Sequence, residues 1–307
     1  MSIFGKLVRY PGHACTLWWR GGSRAILEDA ISGLRERLGV DRLDARSRTM
    51  EQNINEMMRA VSTWAVTGWI EHATLEKTPL VSVILPTHNR SNLLPRAVES
   101  VCAQIDPQWE IVIEDDGSTD DTPALVEQLS SRLRKDRLQT LRIAHSGVCA
   151  ARNHGLAAAR GEFIAYLDDD NFMHPLWLKT VVWGLLERPD VDVVYGGIVI
   201  EDVLRVNRQS AGSLPSYHIA PFDRQRLAQI NLADIGGIAH RSGLPDARFD
   251  ESLREMGDWD LLLRITGEKA PLMIPAVSCF YSTAAPDRLS GGPTYDADAT
   301  RVREKAR

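Results

Sequence analysis

Cysteine is scarce in this 307-residue chain: only Cys15, Cys102, Cys149 and Cys279 occur, far apart and without a CxxC pair. That excludes a small disulfide-stapled scaffold and a thiolate zinc knuckle, and fits a reducing compartment. No run of 18 uncharged apolar residues is present, so no transmembrane helix is expected. The N-terminus lacks an apolar signal core followed by a small-residue cleavage site. Basic residues are outnumbered, 36 Lys and Arg against 41 Asp and Glu, for a formal net charge of -5. That balance argues against a nucleic-acid partner. Neither GxGxxG after the first strand nor GxxxxGK[ST] anywhere is found, which removes a nicotinamide fingerprint and a P-loop. What remains is an ordinary globular composition, 44% hydrophobic and 25% charged, long enough for one large core or two modest ones.

Charge is unevenly spread. Residues 1–50 hold nine Lys or Arg against five Asp or Glu. Within the first 24, Lys6, Arg9, Arg20 and Arg24 interleave with Phe4, Tyr10, Trp18 and Trp19 and no acid intervenes. Such a segment suits peripheral contact with an anionic membrane surface or a lipid-linked substrate, or an arm packed on its own chain. Met50, Ile54, Met57, Val61, Trp64 and Gly68 then recur at gaps of four and three, one helical stripe at heptad spacing. Packing within the chain is the default expectation for that stripe; a homo-oligomer through residues 50–68 or a membrane face are the alternatives. Residues 1–78 are thus read as a helical N-terminal extension, 79–290 as the main domain and 291–307 as a polar C-terminal tail.

After Thr78-Pro79 the pattern changes. Leu80–Leu85, Trp109–Ile113, Leu138–Ile143, Phe163–Leu167 and residues 191–195 read as strands. Helices are expected over 91–104, from about Asp120, over 147–159 and over 175–187. Short β-branched runs alternating with helices of 10–15 residues predict an α/β fold, a Rossmann-like and largely parallel sheet with helices on both faces.

Ligands of an open α/β sheet collect beyond the carboxyl ends of its strands. Asn89 follows the first strand here, Asp115 and Asp116 the second, and Asp168-Asp169-Asp170 the fourth. Several carboxylates in one cleft repel one another unless a cation or donor groups compensate. In an extended segment Asp168 and Asp170 share a face, so this pair suits a hard cation such as Mg²⁺ or Mn²⁺. A helix cap or solvated loop is the plain alternative. Asp116 is placed to accept from an imide N–H or a ribose hydroxyl. Arg152 sits in the small-residue helix Val148-Cys149-Ala150-Ala151-Arg152-Asn153-His154-Gly155, where it either contacts a diphosphate or neutralises the nearby acids. Asp258 precedes an apolar run starting at Trp259 and either caps that helix or serves as a general base; Asp260 and Arg264 stand four apart and should pair. Cys149 and Cys279 read as buried small hydrophobes. His88, His145, His154 and His174 are too dispersed for metal ligands on one helix, although His88 follows the first strand closely enough to position substrate.

Five ordered blocks together resemble the family-two inverting glycosyltransferases of GT-A fold: Val81–Arg90, Ile113–Asp120, Ala151–Gly155, Gly161–Asp170 and Asp258–Leu261. The resemblance covers about residues 80–285. It implies transfer of a sugar, with inversion, from a nucleoside diphosphate sugar, a UDP-sugar by preference, to an acceptor hydroxyl on a glycan, lipid-linked glycan, protein or small molecule. Pro86, Thr87 and Asn89 correspond to the first nucleotide-contact loop, with His88 where a tyrosine is common. Asp116 corresponds to the carboxylate that recognises uracil, and Arg152 to the basic residue near the donor. Asp168 and Asp170 correspond to the outer residues of the DxD motif, Asp170 as the direct ligand of Mn²⁺ or Mg²⁺, with Asp169 directed to the sugar. Asp258 corresponds to the catalytic base of a Glu-Asp motif, with Trp259 beside the acceptor and Gly257 in place of the usual glutamate. A loop around 207–219 is the expected lid. The implied location is cytoplasmic, or peripheral at the inner face of the membrane. A sugar-phosphate nucleotidyltransferase would instead carry a glycine-rich basic loop where Thr87-His88-Asn89-Arg90 stands. A noncatalytic carbohydrate-binding or scaffold subunit draws support from the N-terminal stripe and from Gly257.

Overall fold

The computed structural model describes residue 58 and residues 61–201, 216–267, 269–282 and 294–306. The chain divides into two units, Met1–His72 and Ala73–Arg307. In the first, a helix runs over 61–72. Met50, Ile54 and Met57 of the heptad stripe lie outside the described residues, as do the basic aromatic segment and most of the expected lid. Val61, Trp64 and Gly68 are exposed, Trp64 by 85%, whereas Thr63 and Ile70 are buried. This part of the stripe is therefore not the buried face of the helix, because apolar spacing fixes a periodic face and not what that face meets. No helix among the described residues is long and apolar enough to cross a membrane.

The second unit is built on a nine-stranded sheet. Its strands are β1 (Leu80–Thr87), β2 (Gln108–Asp116), β3 (Leu138–Ile143), β4 (Phe163–Tyr166), β5 (Phe172–Met173), β6 (Val193–Glu201), β7 (Ser216–His218), β8 (Ile238–Arg241) and β9 (Leu272–Ser282). The helices are α1 (Leu94–Cys102), α2 (Thr122–Arg132), α3 (Val148–Ala158), α4 (Trp177–Glu187), α5 (Arg224–Leu227), α6 (Gly257–Ile265) and α7 (Tyr295–Lys305), with a 3₁₀ turn at Ile235–Gly237. The sheet order is β3-β2-β1-β4-β8-β6-β9-β5, with β7 also on β6. The block β3-β2-β1-β4 is parallel, as the alternating pattern predicts. Beyond it β8 runs antiparallel to both β4 and β6, and β5 antiparallel to β9, so the sheet as a whole is mixed. β6 extends to Glu201 because β7 and β9 pair with its second half. β9 accommodates Pro275 at a register irregularity opposite Tyr195–Gly197, where a missing ladder N–H is tolerated.

Burial explains the strand assignments. β1 is apolar along most of its length and β2 at its centre, Ile111–Ile113, and both are almost wholly inaccessible, as strands covered on both faces must be. Ile84, Val112, Ile164 and Tyr166 pack with Cys149 of α3 and Leu261 of α6. Val193 and Tyr195 join Trp259 and Leu262 of α6 and Ala299 and Val302 of α7. The segment read as a polar tail therefore contains a packed helix. Its Lys305 pairs with Asp250 and Asp260 at 2.5 and 2.8 Å, and its Asp298 accepts from the Arg254 and Glu255 backbone amides. Asp260 also pairs with Arg264 at 2.8 Å, the i,i+4 bridge read from the sequence.

Two close approaches set the helices against the sheet. A Cβ on Gly257 would lie 2.7 Å from Cys149 Sγ, so α6 starts flush against α3. Burial raises the Cys149 thiol to about 11, and it acts there as a neutral hydrophobe. Gly155 of α3 covers Glu114, whose carboxyl would overlap any side chain at that position. Glu114 is fully buried with no hydrogen-bond partner on either oxygen. Burial drives its pKa well above 4.5, and the charge of Arg152 offsets this only in part.

Gly257→Ala should cost about 1–3 kcal/mol in denaturant unfolding, and adding Cys149→Ala should recover most of it. Independent losses in the double variant would show that the two do not meet. For Glu114, the unfolded state ionises first as pH rises, so it binds fewer protons than the folded state between the two pKa values. Wild-type stability should then fall relative to Glu114→Gln above pH 4.5, by up to about 1.4 kcal/mol per pH unit, and level off past the folded pKa. Parallel pH profiles of the two proteins, from chemical unfolding at pH 5 to 8, would contradict it.

Candidate active site

Loops at the carboxyl ends of β1, β2 and β4 bring most of the expected residues together. Asn89 adopts a left-handed backbone, φ 53°, a conformation asparagine tolerates. Its side-chain oxygen accepts the Thr119 amide at 2.7 Å and the Asp120 amide at 3.3 Å, and its own N–H donates to Ser118 Oγ at 2.9 Å. Asn89 thereby staples the β1 loop to the β2 loop. Pro86 and Thr87 end β1, where they pair in register with Glu114 and Asp115.

Asp115 and Asp116 divide their work. Asp115 accepts from the Ser118 amide at 2.8 Å and braces its own turn. Asp116, also buried, receives the Ser146 and Gly147 amides at 2.7 and 2.9 Å, so the loop into α3 grips its carboxylate. His145 Nδ1 stands 2.9 Å from the same carboxylate, and His88 Nδ1 donates to the Asp116 carbonyl at 2.7 Å. The two imidazoles stack at 4.2 Å. Far apart in sequence, these histidines meet between two loops, an encounter that one-helix spacing does not capture. The ligand atoms of His88, Asp116 and His145 lie within 4.8 Å of one another, a cluster able to hold one divalent cation.

The acidic triplet after β4 runs into a turn, so it does not divide by the two-residue period of an extended segment: Asp169 and Asp170 share Arg90, while Asp168 pairs with Arg152. Asp169 turns inward: one oxygen accepts from Thr87 Oγ1 at 2.7 Å and the other from Arg90 at 2.8 Å. The structure thus gives it protein partners on both oxygens in place of the sugar-facing position implied by the resemblance. Arg90, which the sequence reading passed over, also bonds Asp170 at 3.0 Å. Asp168 is 28% exposed and receives Arg152 Nη2 at 2.6 Å. Burial, then repulsion from Asp168, raises Asp170 to about 6. Arg152 is itself buried and lies over the Phe249 ring at 5.2 Å. Burial alone would lower its pKa; Asp168, Cys149 and Asp258 together outweigh that and raise it. Asp168 and Asp170, each paired with an arginine, offer oxygen donors only, the donor type that hard divalent ions take.

Asp258 stands at the first turn of α6, after Met256 in a left-handed conformation. One oxygen accepts from the Trp259 amide and the other from Asn231 Nδ2, both at 2.8 Å. Burial raises its pKa, and both Arg152 and Asp168 act on it electrostatically, the first lowering and the second raising it. Trp259 is buried, its indole N–H donating to the Leu227 carbonyl at 2.6 Å, so its ring is a support of α6. A further carboxylate, Asp234, was not legible as a site residue. It caps the 3₁₀ turn by accepting from the Gly236 amide at 2.9 Å. Burial, Asp168 and Asp258, in that order, raise it to about 8. The only sequence trace of it is an aspartate ahead of Ile-Gly-Gly, which reads equally as a cap.

Comparison with known proteins places this architecture. Residues 82–240 match the family model described as Glycosyl transferase family 2. A putative colanic acid biosynthesis glycosyl transferase, WcaA, of Escherichia coli K12 is 30% identical over 198 residues, 63% of this chain and 68% of that protein. The chondroitin synthase of E. coli is 37% identical over 206 residues, 64% of this chain, yet the match spans only 28% of that longer protein. Among solved structures, Staphylococcus aureus TarS 1-349 in complex with UDP-GlcNAc superposes with a TM-score of 0.58 at 20% identity, covering 74% of this chain and 66% of that one. The mannosyltransferase PcManGT of Pyrobaculum calidifontis in complex with GDP-Man and Mn²⁺ gives 0.53 at 23% identity, covering 80% and 68%. These two likenesses concern the fold. With more than half of its length matched by the family model and its acids gathered at the strand ends of a GT-A sheet, the chain belongs to glycosyl transferase family 2, and with it to the enzymes that transfer sugars.

Proposed function

We propose that the protein transfers a sugar from a nucleoside diphosphate sugar to an acceptor hydroxyl with inversion, using Asp258 as general base and a divalent cation, Mn²⁺ or Mg²⁺, at Asp168 and Asp170. The observation that carries this reading is the electrostatic contact of Asp258 with Arg152 and Asp168: the carboxylate from α6 and the acids from β4 act on one space. Support for a nucleotide donor comes from the relatives and from the gripped Asp116 carboxylate, an acceptor for an imide N–H such as that of uracil.

Each residue then has a task. Asp258, raised by burial yet held by Asn231 and the Trp259 amide, takes the acceptor proton as the hydroxyl oxygen attacks the anomeric carbon. Arg152, anchored by Asp168, presents fixed positive charge toward the departing diphosphate. A bound divalent ion would neutralise phosphate charge and stabilise the leaving group. Arg90, through Asp169 and Asp170, holds the acidic loop in place before donor arrives. Asn89 and Asp116 shape the nucleoside end. Gly257 no longer favours a noncatalytic role, because Cys149 occupies the space that a side chain there would need.

Asp258→Asn should reduce turnover about 10²–10⁴-fold with donor affinity unchanged, measured by transfer assay and by calorimetry with UDP. Wild-type turnover in this variant would remove the base assignment. Asp170→Asn should weaken Mn²⁺-dependent binding of nucleoside diphosphate about tenfold or more, with the circular dichroism spectrum preserved; unaltered metal-dependent affinity would exclude the site.

A further inference from the structure

Asp234 has no part in the reaction as assigned above, yet its position is unusual for a mere helix cap. The Ile235–Gly237 turn that carries it is seated directly on the sheet. A Cβ at Gly236 would lie 2.7 Å from Cys279 Sγ, and one at Gly237 would lie 2.9 Å from the Gly196 carbonyl oxygen. The turn thus has little room to shift, and the Asp234 carboxyl is fixed relative to β6 and β9. One of its oxygens, Oδ1, is spent on the Gly236 amide; the other has no protein partner among the described residues. Its electrostatic neighbours are Asp168 on the donor side and Asp258 on the acceptor side. The same short segment supplies Asn231, which holds Asp258.

We propose that Asp234 binds hydroxyl groups of the transferred sugar, as a specificity-determining residue placed between the diphosphate site and the base. The inference rests on the donor reading given above. A pyranose bridging from the diphosphate at Asp168 and Asp170 to an acceptor at Asp258 must lie alongside this carboxyl. Ring hydroxyls both donate and accept, and a carboxyl on a rigid turn with one uncommitted oxygen is matched to them. Its raised pKa adds to the match: a neutral acid group can donate as well as accept, and it does not add another negative charge beside the diphosphate.

The test separates the sugar from the nucleotide. Calorimetry on the full chain at neutral pH with Mn²⁺ compares UDP and GDP with UDP-glucose, UDP-galactose, UDP-N-acetylglucosamine, UDP-glucuronic acid and GDP-mannose. In wild type at least one nucleotide sugar should bind more tightly than its parent nucleotide. Asp234→Ser keeps an oxygen for the Gly236 amide but withdraws the second oxygen. It should erase that preference, a loss of about tenfold or more, while affinity for the bare nucleotide stays within about twofold. Asp234→Asn, which keeps both the cap and a second polar atom, should retain most of it. An Asp234→Ser protein that keeps the wild-type preference, or that loses nucleotide and nucleotide sugar alike, would overturn the proposal and leave Asp234 as a structural cap. A wild type in which the sugar adds nothing to the nucleotide would overturn it too. Failure of wild type to bind UDP or GDP at all would instead bring down the donor reading and this inference with it.

Discussion

A single buried cation organises the cleft. Arg152 is almost inaccessible, fixed to Asp168 and lying against Phe249, and its charge reaches Glu114, Asp234 and Asp258 as well. A guanidinium in such a place is held by the acids around it, and they are tolerable near one another because it is there. Asp170, Asp234 and Asp258 nevertheless all remain raised, by burial first and then by neighbouring carboxylates such as Asp168.

The first half of the sheet was legible because β1 and β4 are short apolar runs, β2 has an apolar centre ended by Asp115 and Asp116, and β3 alternates in burial along its length. Leu138–Ile143 matches the observed strand end for end, and α3 and α4 fall within two residues of expectation. In the second half only the start of β6 was, as the strand read over 191–195. β8 is four residues long and contains His240, which is buried only because Tyr166 bonds its ring at 2.7 Å. β9 contains Pro275, which argues against a strand until the irregular register opposite β6 is known. β7 and β5 are too short to leave a periodic signal. Sequence spacing reports periodicity along one element, and these strands owe their existence to partners distant in the chain.

The site divides in the same way. Acids at strand ends could be read from position alone, but their grouping could not: the turn after β4 sets Asp169 and Asp170 on Arg90 and leaves Asp168 to Arg152. Arg90, Asn231, His145 and Asp234 carry no local signature: each becomes meaningful through a partner 27 to 80 residues away in sequence, or through charges on other elements. The missing acid at Gly257 is the reverse case. Read alone it suggests a damaged motif, while the packing of α6 on α3 makes glycine the residue that lets the helix reach its seat.

The grip of two backbone amides on Asp116 has a thermodynamic corollary. A carboxylate that must be immobilised when its ligand arrives spends part of the binding free energy on lost side-chain rotamers. Here that entropy is surrendered once, during folding, by the Ser146 and Gly147 peptides, and the stapling of the neighbouring loop by Asn89 does the same for the backbone. On the proposed reading, an incoming base meets a template already frozen into shape, and discrimination between bases at this end should be governed by the fit of rigid groups in place of rearrangement after contact.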